Sequence, residues 1–292
     1  MWLGYRLSMD VLTRVRGIGV DSWPGVRDLD EVFRRRELVL AFAKRDISVR
    51  YRSSLLGWLW SLAQPLANLV FFSIMFTMIF RVQAPPLGNG HGASYPAFLM
   101  CGIATWTLFA SLQRLSIDTL RTCFPLMGKV AFPGWAPIIG AQLVQAVQVL
   151  MEFVVLVLLF VFLGNFGWTW LLALPILLGT LLFGMGIGLM VSILSAHLGD
   201  VREIVTTVVM IMYFATPVLY PLSMVQGHNH ILALVVKLNP MSWFVQSMHD
   251  VMYSLIAPSP WVILSLVIGG AATLWIGFKV FVRASRNLAE VL

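Results

Sequence analysis

Between Lys129 and Asp200 the chain runs for seventy residues with one formal charge, Glu152. Few folded environments accept such a stretch. A helix needs about 20 apolar residues to cross a hydrocarbon layer about 30 Å thick, so the run is too long for one crossing and long enough for two. Gly164, Asn165 and Gly167 divide it where a turn is expected, into about Trp135–Leu163 and Trp168–Ala196. Composition agrees. Only 11% of the 292 residues are Asp, Glu, Lys or Arg and 59% are apolar types, against about 25% charged residues in soluble domains. With a mean hydropathy of +0.86, this excludes a soluble fold, a disordered chain and a collagen-like repeat. Two cysteines, Cys101 and Cys123, exclude a disulfide scaffold. One principal membrane domain remains.

Four further windows are long and nearly charge-free: about Gly57–Phe80, Tyr95–Gln113, Ile204–Tyr220 and Trp261–Phe278. Lys and Arg in the connections set their direction, because basic residues near span ends stay in the cytoplasm. With the N-terminus inside, 18 of the 20 basic residues fall on the inner side and only Arg81 and Lys237 outside. The net charge of +7 is thus topology and attraction to an anionic leaflet, and nucleic acid is not an expected partner. The start, MWLGYRLSMD, has no apolar core or cleavage site, so the polar head is expected to stay attached and cytoplasmic.

The expected fold is an all-α integral membrane protein with six transmembrane helices and both termini cytoplasmic. Residues 1–30 form a cytoplasmic segment, 31–54 an amphipathic interface helix, 55–282 the six-span domain and 283–292 a cytoplasmic tail. On the interface helix Phe33, Leu40, Ala43, Ile47 and Tyr51 share one stripe among Arg and Lys. Pro217, Pro221, Pro240, Pro258 and Pro260 break up the region after the fifth span. There the runs 231–238 and 243–257 are too short or too polar to cross and read as short re-entrant or interfacial helices on the outer face.

Several features bear on function. No GxxxxGK[ST] phosphate loop is present, no HExxH and no CxxC, so ATP hydrolysis by that route and a metal centre are not expected. Gln142, Gln145, Gln148 and Glu152 lie within an arc of roughly 120° on the third span. Such a stripe either binds helices together or lines a polar path. Trp58, Trp60 and Phe72 on the first span and Trp106 and Phe109 on the second read as an aromatic belt or as flat rails for sugar rings. Gly184, Gly186 and Gly188 read as close helix packing. The segment Asp118 to Trp135 reads as a loop able to dock into another protein. His197, Asp200 and Glu203 are the best cluster for a rival reading, a membrane-embedded polyprenyl-phosphate transferase.

At these residues the chain resembles a family, the membrane subunits of type-2 ABC exporters that move lipid-linked polysaccharides (O-antigen, capsule and teichoic-acid export permeases). The likeness covers about residues 31–292. Its most specific part is KRDISVRYRSSLLGWLW at Lys44–Trp60, followed by Pro65. Lys129–Pro133 (KVAFP), Asp200-Val201, Thr216–Tyr220 (TPVLY) and Leu238–Met241 (LNPM) support it. Where members often carry Arg just before the Asp of the inner loop, this chain has Gly199.

The resemblance implies a bacterial inner-membrane half-transporter that forms a homodimer and binds two copies of a separate ATPase. ATP and Mg would sit on that partner, with no cofactor on this chain. It assigns coupling roles to Arg45, Asp46, Arg50 and Arg52 and to Arg121, Lys129, Phe132 and Pro133, and an external gate to the short outer helices. The cargo it implies is a polyprenyl-lipid-linked glycan; a drug or small lipid is the alternative.

Overall fold

A computed structural model describes residues 36–51, 63, 66–67, 70–71, 73–79, 85–90, 92–127, 132–226 and 230–285. Among these the chain is helical, with no strand. Four helices among the described residues are long and apolar enough to cross a membrane. The first-span window falls mostly outside the described residues, apart from single helical residues and a π-helical turn at Met75–Ile79.

Helix α1, Arg36–Tyr51, packs on the start of α3, Trp135–Phe162. Gly140 permits the approach: a Cβ there would lie 2.9 Å from the Val39 carbonyl and 3.1 Å from the Ala43 nitrogen. The buried stripe of α1 is therefore Val39 and Ala43, flanked by Phe42, while Leu40 (52% exposed) and Ile47 (44%) face outward. This corrects the stripe expected from sequence: Ala43 lies on the packed face but Leu40 and Ile47 do not, while Phe33 and the side chain of Tyr51 lie outside what is described. Counting apolar residues located the helix but missed which side a glycine-made groove would receive.

Helix α2 runs from Tyr95 to Met127, 33 residues, so at 1.5 Å per residue it is about 50 Å long and overshoots a hydrocarbon core by roughly 20 Å. The segment expected to be a loop from Asp118 is thus helical as far as Met127, with Pro125 only in the last turn. A Pro two residues from a helix end leaves most of the preceding ladder intact, so it does not stop the helix early.

After α3, a 3-10 turn at Trp168–Leu172 leads into α4, Ala173–His197. Then α5 spans Val201–Ala215. Its 15 residues cover only about 22 Å, and Thr216 to Pro221 continue without helix. Short helices follow: α6 (Ser223–Gln226), α7 (His230–Leu238) and α8 (Pro240–Met248), the last running into a π-helical turn at His249–Tyr253. The final helix, α9, is Pro260–Ser285.

The core lies between α2, α3 and α4, with α9 laid against α4. The glycines of α4 serve two neighbours. Gly184 and Gly188 face α2, where Cβ atoms would meet Leu112 Cδ1 at 2.7 Å and Ser116 Oγ at 2.5 Å. Gly186 faces α9, where a Cβ would sit 2.4 Å from the Thr273 carbonyl. Close helix packing, the reading made for these three glycines, is what they do.

Candidate functional site

One end of the bundle is basic and carries Arg114, Arg121, Arg202, Lys279 and Arg283 together with α1. There Phe132, in the α2–α3 connection, packs its ring on Phe42 of α1 with centroids 5.2 Å apart, so two segments proposed for coupling form one surface. Pro133 accepts from the Ala136 N–H at 3.0 Å and starts α3. Arg45 is exposed and Asp46 half-buried on α1, and Arg50 lies in its last turn. Arg52, Lys129, Trp58, Trp60 and Phe72 lie outside the described residues.

Two contacts bind the overshooting end of α2 to the α4–α5 turn. Arg121 Nη2 donates to the Gly199 carbonyl at 2.8 Å, and Arg202 Nη2 pairs with Asp118 Oδ1 at 3.2 Å. The chain lacks an arginine at position 199, and α2 delivers a guanidinium to that place from outside the turn. Nothing in the spacing of 78 residues between Arg121 and Gly199 links them in the sequence. By contrast, His197, Asp200 and Glu203 are exposed, and His197 Nδ1 sits 2.9 Å from the carbonyl of Ile193 on its own helix. The described residues hold no group of three or more His, Cys, Asp or Glu able to bind a metal.

In the middle of the bundle Gln142 is fully buried and donates through Nε2 to Ser116 Oγ at 2.7 Å. The Ser116 hydroxyl in turn donates to the Leu112 carbonyl at 2.6 Å. Gln113 donates to the carbonyls of Phe109 and Gly184, both at 3.1 Å. These amides bind α2, α3 and α4 together, and Gly188 makes their room, since a Cβ there would lie 2.8 Å from Gln142 Nε2. Gln113 was missed in the sequence because it marks the end of an apolar window; its burial at 2% shows the window continues. Gln145 and Glu152 are buried and Gln148 half-buried further along α3. Glu152 forms no hydrogen bond or ion pair among the described residues. Trp106 and Phe109 are buried within the subunit, Trp106 lying 5.6 Å from both Phe109 and Tyr213 and Phe109 5.7 Å from Phe183.

The opposite end is a hydrogen-bonded cap around the π-helical turn. A π-turn misaligns carbonyls, yet all five here are answered. His249 and Asp250 accept from Ser254 and Ile256 N–H groups. Val251 accepts from Thr169 Oγ1 at 2.7 Å. Met252 and Tyr253 accept from Asn165 Nδ2, each at 3.0 Å, and Tyr253 also from Gly88 N–H. Asn165 Oδ1 in turn accepts from the Asn89 N–H at 3.0 Å. From sequence Asn165 reads only as a turn residue. His249 stacks on Phe98 at 4.0 Å and its Nε2–H donates to the Phe98 carbonyl at 3.0 Å; burial holds its pKa down at about 4.

Helix α5 is apolar, yet beyond its first residue, Val201, none of its residues is buried; Ile204, Met210, Ile211 and Phe214 are each about 60% exposed. Such a face is left open for lipid or another subunit.

Known proteins share this arrangement of sequence. The O-antigen export system permease protein RfbA of Klebsiella pneumoniae is 25% identical over 258 residues, 88% of this chain and 95% of its own length. The O-antigen export system permease protein RfbA of Myxococcus xanthus is 27% identical over 270 residues, 91% of this chain and 99% of its own. The polysialic acid transport protein KpsM of Escherichia coli is 23% identical over 186 residues, 63% of this chain and 70% of its own. Residues 37–253 match the membrane domain described as ABC-2 type transporter, and the chain belongs to that family.

Proposed function

We propose that the protein is the permease subunit of an ATP-driven exporter that moves a polyprenyl-lipid-linked polysaccharide across the bacterial inner membrane. The observation that carries this reading is the similarity to two O-antigen export permeases along about nine-tenths of the chain. Six spans complete it: the 57–80 window as the first, and α5 extended to Tyr220 as the fifth. The basic end is cytoplasmic and the cap outside, as 18 of the 20 Lys and Arg require. The Lys279 ammonium, 3.2 Å above the Trp275 ring, suits an inner membrane–water boundary. Helices α7 and α8 are the short outer pair.

Two copies pair through exposed apolar faces such as α5, and the path lies where they meet. Each copy carries one ATPase on the joint surface of α1 and the Phe132 connection. Closure of the ATPases pushes that surface and shifts the inner ends of α2 and α5 against each other. The basic inner face attracts the phosphates of the lipid carrier from the inner leaflet. Gln145, Gln148 and Glu152, with the aromatic residues of the first span, offer polar and flat walls to the glycan. This chain makes and breaks no bond in the cargo.

The test is purification of the tagged protein from its native host in mild detergent, together with deletion of its gene. The expected result is an equimolar ABC ATPase in the preparation and loss of surface polysaccharide with polymer retained inside the cell. A protein that purifies alone, or a deletion strain with unchanged surface glycan, refutes the proposal.

A further inference from the structure

Between residues 241 and 253, in α8 and the π-helical turn, ten of the thirteen side chains are buried, and the three that are not are Trp243, Gln246 and Asp250. Their spacing of three and four places them on one side. The buried side, with Met241, Phe244, Val245 and Met248, packs on α2 and α4, so the trio looks away from the bundle. Acyl chains are a poor neighbour for it, since a carboxylate and an amide facing hydrocarbon would be left unsolvated.

The three groups are arranged beforehand. Gln246 Nε2 donates to Asp250 Oδ1 at 2.8 Å. The indole N–H of Trp243 donates to the Lys237 carbonyl at 3.0 Å, which fixes the ring while 53% of the residue stays exposed. What remains free is mainly acceptor in character: the second carboxylate oxygen of Asp250 and the amide oxygen of Gln246, beside one remaining amide N–H and an aromatic face. Among the described residues neither the Asp250 nor the Gln246 side chain has another partner. Acceptors beside a flat π-surface match a sugar ring, whose C–H face lies on the electron-rich ring while its hydroxyls donate sideways. Hydrogen bonds to a carboxylate are roughly twice as strong as neutral ones.

We infer that Trp243, Gln246 and Asp250 form a glycan-binding subsite on the outer side of the subunit, selective for neutral, hydroxyl-rich sugar units. The inference depends on the export reading above and names the chemistry of its cargo. An anionic glycan, presenting carboxylates or phosphates, meets the Asp250 carboxylate here and is repelled. Burial raises the Asp250 pKa even though the Gln246 bond favours its charged form.

The experiment places the photo-crosslinking amino acid p-benzoylphenylalanine at Trp243 in the full complex, in the native host making its own surface polysaccharide. Leu264, exposed on α9, serves as the control position. Illumination is expected to give an adduct at 243 that stains for carbohydrate, and none at 264. Trp243→Ala and Asp250→Ala are expected to lower surface glycan at least tenfold with unchanged amounts of protein and bound ATPase. Asp250→Asn, which keeps an oxygen for the Gln246 bond, should lower it about threefold. Adducts at 243 that contain only a second copy of the chain or only lipid, the absence of any carbohydrate adduct there, or full export by all three variants overturns the subsite. If deleting the gene leaves surface glycan intact, the export reading itself has failed; if deletion abolishes it and 243 captures no carbohydrate, only the subsite has.

Discussion

Replacing Gly277 by Ala tests how α9 is held. Helices α4 and α9 meet backbone to backbone at two levels, one heptad apart. A Cβ at Gly277 would lie 2.2 Å from the Gly186 carbonyl oxygen and 2.8 Å from its carbon, and at Gly270 2.5 Å from the Gly179 oxygen. No flexible side chain stands there to swing aside, so the helices must separate by roughly 1 Å, and overpacking of this kind costs about 1–3 kcal/mol. Contact is also lost along the rest of the pair, which puts Gly277→Ala at about 3 kcal/mol. Gly269 is the internal control, with nothing within 4 Å of its added Cβ; Ala there is neutral or gains about 0.5–1 kcal/mol of helix propensity. The protein supplies its own probe, because Cys101 and Cys123 are both free and buried and react with a fluorogenic thiol dye only on unfolding. In detergent, Gly277→Ala should lower the labelling midpoint by on the order of 5–10 °C. Equal midpoints for the Gly277 and Gly269 variants would refute the backbone-contact account.

Asp118→Arg and Arg202→Asp should each leave thermal stability within about 1 kcal/mol of the parent, since a pair with 46% and 40% exposed side chains is screened. Each should nonetheless lower export, and the double exchange should restore it, as measured by surface glycan per molecule of complex. Asn165→Ala removes donors to two buried carbonyls and the acceptor for Asn89; it should cost about 3–5 kcal/mol, read by the same thiol-labelling assay. His249, with a folded pKa near 4 against 6.5 unfolded, contributes stability that is complete above pH 6.5. That contribution is lost as pH falls toward 4, by about 3 kcal/mol in all, so His249→Asn should flatten stability between those values. Glu152→Gln should reduce export with assembly unchanged; full export would assign Glu152 to helix packing.

Long-period features were legible in the sequence and short-range partnerships were not. The windows at Trp135 and Trp261 were placed to within a few residues at their starts because hydropathy is a sum over many side chains, and one wrong residue does not alter it. The turn at Gly164–Gly167 and the short helices after Pro221 were also visible, through residues that punctuate backbone. Hydropathy fails where polar residues continue a helix beyond the apolar layer: Arg114 and Asp118 ended the window, but α2 continued to Met127. It fails again for partners far apart in the chain. Asn165 and the carbonyl of Tyr253 are separated by 88 positions, and a carbonyl has no signature in sequence at all. The polar stripe on α3 illustrates the division: its periodicity put Gln142 and Glu152 on one side of the helix, yet one is bound to Ser116 and the other has no such partner.

These bonds are unevenly distributed, and the distribution bears on how an exporter of this kind would work. At the cap, Asn165, Asn89, Thr169 and Tyr253 satisfy backbone groups of three separate segments, so moving any one of them leaves buried carbonyls unpaired at a cost of about 1–3 kcal/mol each. At the basic end, α2 is joined to the α4–α5 turn by one exposed ion pair and one guanidinium bond, whose loss water compensates. A push of a few kcal/mol at the basic end can therefore rearrange α5 against α2 without disturbing the cap. Helix α5 is suited to move: its outward face is unpartnered in the single subunit, its first residue Val201 is buried at one end and Val218 just beyond the other. The fixed cap then presents Trp243, Gln246 and Asp250 in constant geometry while the inner half changes, so a glycan would meet a moving entrance and a stationary exit.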